Sequence, residues 1–237
     1  MQTKYVLPLA AGLMMFSSAV FANDWSGLYA GAEIGAQFSH TKFSLPGDES
    51  DVLLQSRDNK TSFIGGGMVG YNWLDGPTLI GIEADISNGG NANVKACNAE
   101  DGCFTSEHDS FTTLNHLNTN WTGRIRARLG MTAGDSLYYV AAGYSYADTK
   151  MSLTGLCYNE QDPDVPTIYR FGRSKNLSGF NLGAGIEQAL DEHFFVRAEY
   201  LYEDFGKTTY AGAAPEWNDR KISVSHSSLR AAVAYKF

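Results

Sequence analysis

The sequence predicts an all-β chain: one eight-stranded antiparallel up-and-down transmembrane β-barrel with short periplasmic turns and long external loops. Three observations carry this. Apolar residues recur at every second position in eight separate stretches, the period of a strand whose two faces meet different surroundings. Each stretch runs roughly 10 to 14 residues, and a tilted strand needs only about 9–11 to cross a bilayer. The connections also alternate. Those after the first, third, fifth and seventh stretches are long and polar; those after the second, fourth and sixth are tight. A bacterial outer-membrane barrel sorts its connections by side in this way. A soluble sandwich has no reason to.

The stretch from Trp121 to Met131 states the pattern most sharply. Arg124, Arg126 and Arg128 fall on alternate positions, with Ile125, Ala127 and Leu129 between them. On a strand the three guanidinium groups share one face and the apolar residues the other. On a helix they would spread around the cylinder. A soluble sandwich would put water on the arginine side. A membrane barrel would put lipid on the apolar side and a polar lumen on the arginine side.

The other strands follow in order. In the first, Leu28, Ala30, Ala32, Ile34, Ala36 and Phe38 oppose Gly27, Tyr29, Gly31, Glu33, Gly35 and Gln37. A polar stretch over 39–61 follows, with a turn signal at Pro46-Gly47-Asp48. The second strand, 62–73, sets Phe63, Gly65, Gly67, Val69, Tyr71 and Trp73 on one face, and Asp75-Gly76-Pro77 turns the chain. In the third, 78–87, Ile80, Ile82, Ala84 and Ile86 oppose Gly81, Glu83 and Asp85. A long polar segment over 88–119 leads to the arginine strand, which ends in the tight turn Thr132-Ala133-Gly134-Asp135. The fifth strand, 136–147, aligns Tyr138, Val140, Ala142, Tyr144 and Tyr146, and a third polar segment covers 148–176. In the sixth, 177–189, Phe180, Leu182, Ala184 and Ile186 oppose Asn181, Gly183, Gly185 and Glu187. After the short turn 190–193, Val196, Ala198, Tyr200 and Tyr202 oppose Arg197, Glu199, Leu201 and Glu203. A last loop over 206–221 precedes Leu229, Ala231, Val233, Tyr235 and Phe237, which oppose Arg230, Ala232, Ala234 and Lys236. Aromatic residues gather near strand ends, as interface anchors do: Trp25, Phe38, Tyr71, Trp73, Trp121, Tyr202, Phe205, Tyr235 and Phe237.

The first 22 residues read as a secretory signal peptide. Lys4 gives a positive start, 6–20 is a short apolar run, and Val20-Phe21-Ala22 suits a signal peptidase. The run is shorter than the ~20 residues of a membrane anchor. Residues 23–237 would then form the barrel domain. Without Lys4 it has 17 basic and 26 acidic side chains, a net charge of −9, which argues against nucleic acid as a partner.

The lumen face collects Glu33, Glu83, Asp85, Glu187, Glu199 and Glu203 with Arg124, Arg126, Arg128, Arg197, Arg230 and Lys236. The interior of eight strands is just wide enough for side chains to fill. The expectation is an ion-paired, plugged lumen; the rival is an ion-selective constriction, as in a narrow porin for small solutes.

Candidate chemistry is sparse. His40 and His226 lie near the outer rim of strands that become neighbours on closure, with Glu203 and Asp204 nearby. No nucleophile–base spacing accompanies them, so they read as solvated rim residues rather than an acyl-transfer or protease site. The reading is non-enzymatic, with no cofactor and no metal. Cys97 and Cys103 are expected to close a small external loop as a disulfide, although Cys157 offers either one another partner. Cys-x5-Cys without ordered histidines is not a zinc pattern.

Seven pieces resemble the outer membrane protein beta-barrel (porin-like, opacity-type) family of small Gram-negative surface proteins. They are Trp25-Ser-Gly-Leu-Tyr-Ala-Gly, Gly65-Gly-Gly-Met-Val-Gly-Tyr-Asn-Trp73, Gly81-Ile-Glu-Ala-Asp85, Arg126-Ala-Arg-Leu-Gly130, Gly183-Ala-Gly-Ile-Glu187, Arg197-Ala-Glu-Tyr-Leu-Tyr202 and Ala234-Tyr-Lys-Phe237. The resemblance implies the cell outer membrane, with its lipid and lipopolysaccharide as surroundings. It also implies insertion by the barrel-assembly machinery, for which the terminal Phe237 is the signal. Roles in such a family span envelope structure, adhesion, surface antigen, weak porin activity and haemin binding. Through that likeness alone His108, His116, Tyr158, Tyr169 and Tyr210 become candidates for a haem iron. The loops match nothing that names a partner.

Overall fold

A computed structural model describes residues 24–44, 57–89, 91–96, 105–106, 109–159, 162–210 and 220–237. The strands are β1 (Gly27–Ser44), β2 (Arg57–Asp75), β3 (Thr78–Asn88), β4 (Asn91–Ala96), β5 (Thr105–Ser106), β6 (Asp109–Ala133), β7 (Ser136–Asn159), β8 (Asp162–Ala189), β9 (Phe194–Tyr210) and β10 (Arg220–Lys236). Each pairs antiparallel with its neighbours in the order β3-β2-β1-β10-β9-β8-β7-β6, and β3 pairs with β6 to close the ring. The result is a closed eight-strand barrel with β4 and β5 as additions along the outer half of β6. Closure leaves no sheet edge, and so no row of unpaired backbone groups facing hydrocarbon.

The period-two faces are those of the sequence pattern. β3 alternates buried and outward positions along its length. On the outer side Phe63 is 88% and Ile125 71% exposed, and the apolar surface continues through Ile34, Ile80, Leu129, Val140, Leu182 and Val233. Soluble monomers rarely expose more than a few hundred Å² of contiguous apolar surface. A band around a whole barrel fits lipid.

Two tight turns use glycine in the left-handed region, Gly76 at φ 58° and Gly134 at φ 61°, where a side chain would be strained. The third, at 190–193, uses Asp191 instead. Its Oδ1 accepts the His193 and Phe194 amides at 2.8 and 2.7 Å. Those two donors hold the Asp191 carboxyl below its ordinary value of 3.8.

The structure corrects the sequence reading of the fold at three main points, and the segments read as loops over 39–61 and 206–221 likewise hold strand at 39–44, 57–61, 206–210 and 220–221. The segment 148–176 is not a loop: β7 and β8 pair through it, from Ala147↔Leu177 out to Asn159↔Asp162. The segment 88–119 contains β4 and the outer part of β6. These extensions lack the regular apolar–polar alternation of the membrane-spanning stretches, yet their backbones still find ladder partners. Gly89 marks the break between β3 and β4. Its amide donates to the Asn120 carbonyl at 3.0 Å, and a Cβ there would stand 2.1 Å from the Thr119 carbonyl oxygen. Thirdly, Trp25 and Phe205 are not interface anchors. Both are buried inside the barrel.

The lumen has its own apolar floor. Trp25, Tyr29, Met68, Leu79, Leu137, Phe195, Ala232 and Ala234 form one buried cluster near the three short turns. Phe195 takes Trp25 and Tyr29 edge-on, each with centroids 5.6 Å apart.

Candidate functional site

Above that floor the lumen is filled with charge. β3 and β6 run in a register that sets Gly81 opposite Arg128, Glu83 opposite Arg126 and Asp85 opposite Arg124. β8 and β9 set Glu187 opposite Arg197, and β9 and β10 set Glu199 opposite Arg230. Glu33, Glu83, Asp85, Glu187, Glu199, Glu203, Arg124, Arg126, Arg128, Arg197 and Arg230 are all buried.

Each guanidinium bridges carboxylates from different staves. Arg124 grips Glu203 with two nitrogens, Nε to Oε1 at 2.7 Å and Nη2 to Oε2 at 2.9 Å, while Nη1 meets Asp85 at 2.7 Å. Arg126 joins Glu83 through Nη2 and Glu199 through Nη1 at 2.8 Å, with Nε 3.6 Å from Asp85. Arg128 meets Glu187 at 2.5 Å and packs its guanidinium 4.1 Å from the centre of the Tyr139 ring. Arg197 contacts Glu83 and Glu187, both at 2.6 Å. Arg230 reaches Glu33 at 3.1 Å and Asp85 at 3.4 Å through one nitrogen.

Hydroxyls and an amide complete the network. Tyr29 donates to Glu83 at 2.5 Å, Tyr139 to Glu199 at 2.6 Å and Ser145 to Glu203 at 2.8 Å, and Asn181 donates to Ser145 at 2.9 Å. Gly70 makes room for this. A Cβ at that position would stand 2.2 Å from the Tyr29 hydroxyl oxygen.

The sequence reading set Tyr29 on the face of Glu33 without giving it a partner, and it passed over Tyr139 and Ser145, whose strand carries no charged residue on that face. Lys236 does not join the network. Its ammonium donates to the Asp24 carbonyl beside the short turns, because its position lies at the end of β10, beyond the apolar floor.

The rim histidines separate. His226 stands between Ser39 and Glu203 in register. It is buried rather than solvated, with its ring 5.5 Å from Phe205 in an edge-on contact. The inward parity it shares with Ser228 and Arg230 puts it there. Glu203 is held by Arg124 and Ser145, and Asp204 accepts the Gly206 amide at 2.8 Å.

Cys97, Cys103 and His108 lie outside the described residues, as do residues 1–22. Nor do the described residues include the side chains of His116, Cys157, Tyr158, Tyr169 and Tyr210. Among the described residues no group of three His, Cys, Asp or Glu side chains is placed to hold a metal ion. Phe237 ends the chain exposed. Its amide donates to the Leu28 carbonyl at 2.9 Å and its ring lies 5.0 Å from Tyr235.

The comparisons with known proteins agree with this architecture. The sequence is 29% identical to the 31 kDa outer-membrane immunogenic protein of Brucella melitensis over 236 residues, covering 97% of this chain and 88% of that protein. It is 22% identical to the 25 kDa outer-membrane immunogenic protein of Brucella abortus, covering 99% and 98%. Among solved structures, the outer membrane protein OprG of Pseudomonas aeruginosa shares the fold at a TM-score of 0.53 and 14% identity, covering 91% of this chain and 98% of that one. The sequence profile of the outer membrane protein beta-barrel domain matches residues 9–237. With that match over the closed, lipid-faced barrel described above, the chain belongs to the outer membrane protein β-barrel domain family and is a protein of the bacterial outer membrane.

Proposed function

We propose that the protein is a non-enzymatic surface barrel with a closed lumen, whose outward extensions and loops serve envelope structure or contact with the surroundings. In this reading residues 1–22 direct export, and Phe237 is the feature that the assembly machinery reads. The supporting observation is the buried charge network. Its five arginines bridge carboxylates across the whole width of the barrel, and an apolar floor lies beneath them. An ion crossing this interior must displace paired groups whose desolvation costs several kcal/mol each.

The test is conductance in a planar bilayer. The folded protein is expected to give no steady single-channel steps. Regular steps of reproducible size would overturn the closed lumen in favour of a narrow porin.

A further inference from the structure

The ring that is closed through the bilayer parts above it. β8 and β9 pair from Ala189↔Phe195 to Phe180↔Asp204 and no further. Phe180, on the outer side, stands at that height with its ring 6.3 Å from that of Tyr202, and such aromatic residues mark the membrane interface. The two staves still touch at Gly179, where a Cβ would stand 2.0 Å from the Asp204 carbonyl oxygen. Beyond it β9 follows β10, from Lys207↔Ser223 to Tyr210↔Arg220, while β8 follows β7 out to Asn159↔Asp162. Gly206 lies where they part, at φ 66° in the left-handed region that suits glycine.

A second parting, between β2 and β3 beyond Gly66↔Ser87, is stitched by a side chain. There the Gly65 amide donates to the Asn88 Oδ1 at 2.6 Å. The β8 edge is built differently. From Thr167 to Ser178 it is laddered to β7 on one side, and among the described residues no strand lies along the other. The stretch is about 40 Å long at ~3.3 Å per residue. Alternate residues of an antiparallel strand turn both N–H and C=O to the same side, so about six residues offer a donor and an acceptor outward. Pro163 and Pro166, which have no N–H, end the run. A row of this kind is a template on which a further strand can form.

Charge in the sequence selects what can add there. β8 holds Arg170, Arg173 and Lys175 and no carboxylate between Val165 and Ile186, and Lys150 of β7 stands opposite Ser174. In a chain of net charge −8 this is a basic stretch. Two copies meeting edge to edge would set cations against cations, which is destabilising. Charged residues on an edge keep like chains apart in this way. An acidic strand meets opposite charge instead. Arg173 and Lys175 share one parity, so a strand with carboxylates on alternate positions matches both.

We propose that the outer edge of β8, from Thr167 to Ser178, takes an acidic extended segment of another protein as an added strand. The inference rests on the surface-contact part of the proposed function and gives that contact a place and a chemistry. It is independent of the lumen, so conductance steps would overturn the closed interior and leave the strand addition standing.

The folded protein in detergent is titrated with a fluorescent peptide of alternating threonine and glutamate. The same peptide with alternate amides N-methylated, and one with lysine in place of glutamate, serve as comparisons. Saturable binding of the acidic peptide is expected, with slowed backbone hydrogen exchange over 167–178. N-methylation removes the ladder donors and should abolish binding. Arg173→Glu with Lys175→Glu should weaken the acidic peptide roughly tenfold, since opposite charges across a ladder attract and like charges repel. The heat-shifted band on a gel shows that the variant is folded. Absent binding of the acidic peptide, equal binding of the N-methylated or lysine peptide, an unchanged affinity in the charge-reversed variant, or protection that falls outside 167–178 each overturns the proposal. If every amide over 167–178 already exchanges slowly in the protein alone, the edge is covered by this chain or a second copy, and the proposal also fails.

Discussion

Arg126 has only 1% of its surface exposed and touches Glu83, Glu199 and Asp85. Replacing it with methionine keeps much of the volume and strands carboxylates in a buried site. Breaking such a pair from one side costs about 3–5 kcal/mol. Arg126→Met should lower the stability of the vesicle-embedded barrel by that order, read from its urea unfolding midpoint. A loss below about 1 kcal/mol, the level of an exposed surface pair, would count against a stabilising network. At this scale the sequence is most legible where charge and parity coincide: Glu83, Asp85 and the three arginines share one parity in the sequence and are buried in the structure. Trp25, Leu79 and Leu137 were harder, because an expectation of a polar lumen masks apolar residues on the same parity. Trp25 shares its parity with Tyr29 and Glu33, so the signal was present in the spacing.

Among the elements, the short turns follow directly from residue chemistry. Asp191 caps its turn through two amides, so its folded carboxyl titrates below 3.8. The sign follows from that depression. The contribution of Asp191 is complete above 3.8 and is lost as pH falls through the lowered value. A side-chain NMR titration should place the Asp191 midpoint below that of an unstructured aspartate, and a midpoint at or above 3.8 would contradict the cap. The long strands were legible only in part. Lipid on one face and packed side chains on the other write a period of two into Ile80 to Ile86. Farther out, the stretch 149–157 carries no long apolar face in its sequence, and it was not legible as a strand. Its Thr, Leu and Ser residues pair with β8 all the same.

For the whole molecule, the ring is joined by its first and last staves, from Tyr29↔Lys236 to Ser44↔Lys221. The fold class and the strand order around the barrel were legible because connection length sorts by side. The outer loops were not, since no burial pattern constrains them. A chain ending at residue 219 lacks β10 and should give no heat-shifted folded band in vesicles. The appearance of that band would show that the remaining staves close without it. Arg230 belongs to that final stave and is the guanidinium that meets Glu33. The interior thus acquires its last clasp only when the carboxyl-terminal ribbon zips against the amino-terminal one. A product without that ribbon is expected to carry two raw borders and an acid missing its counterpart.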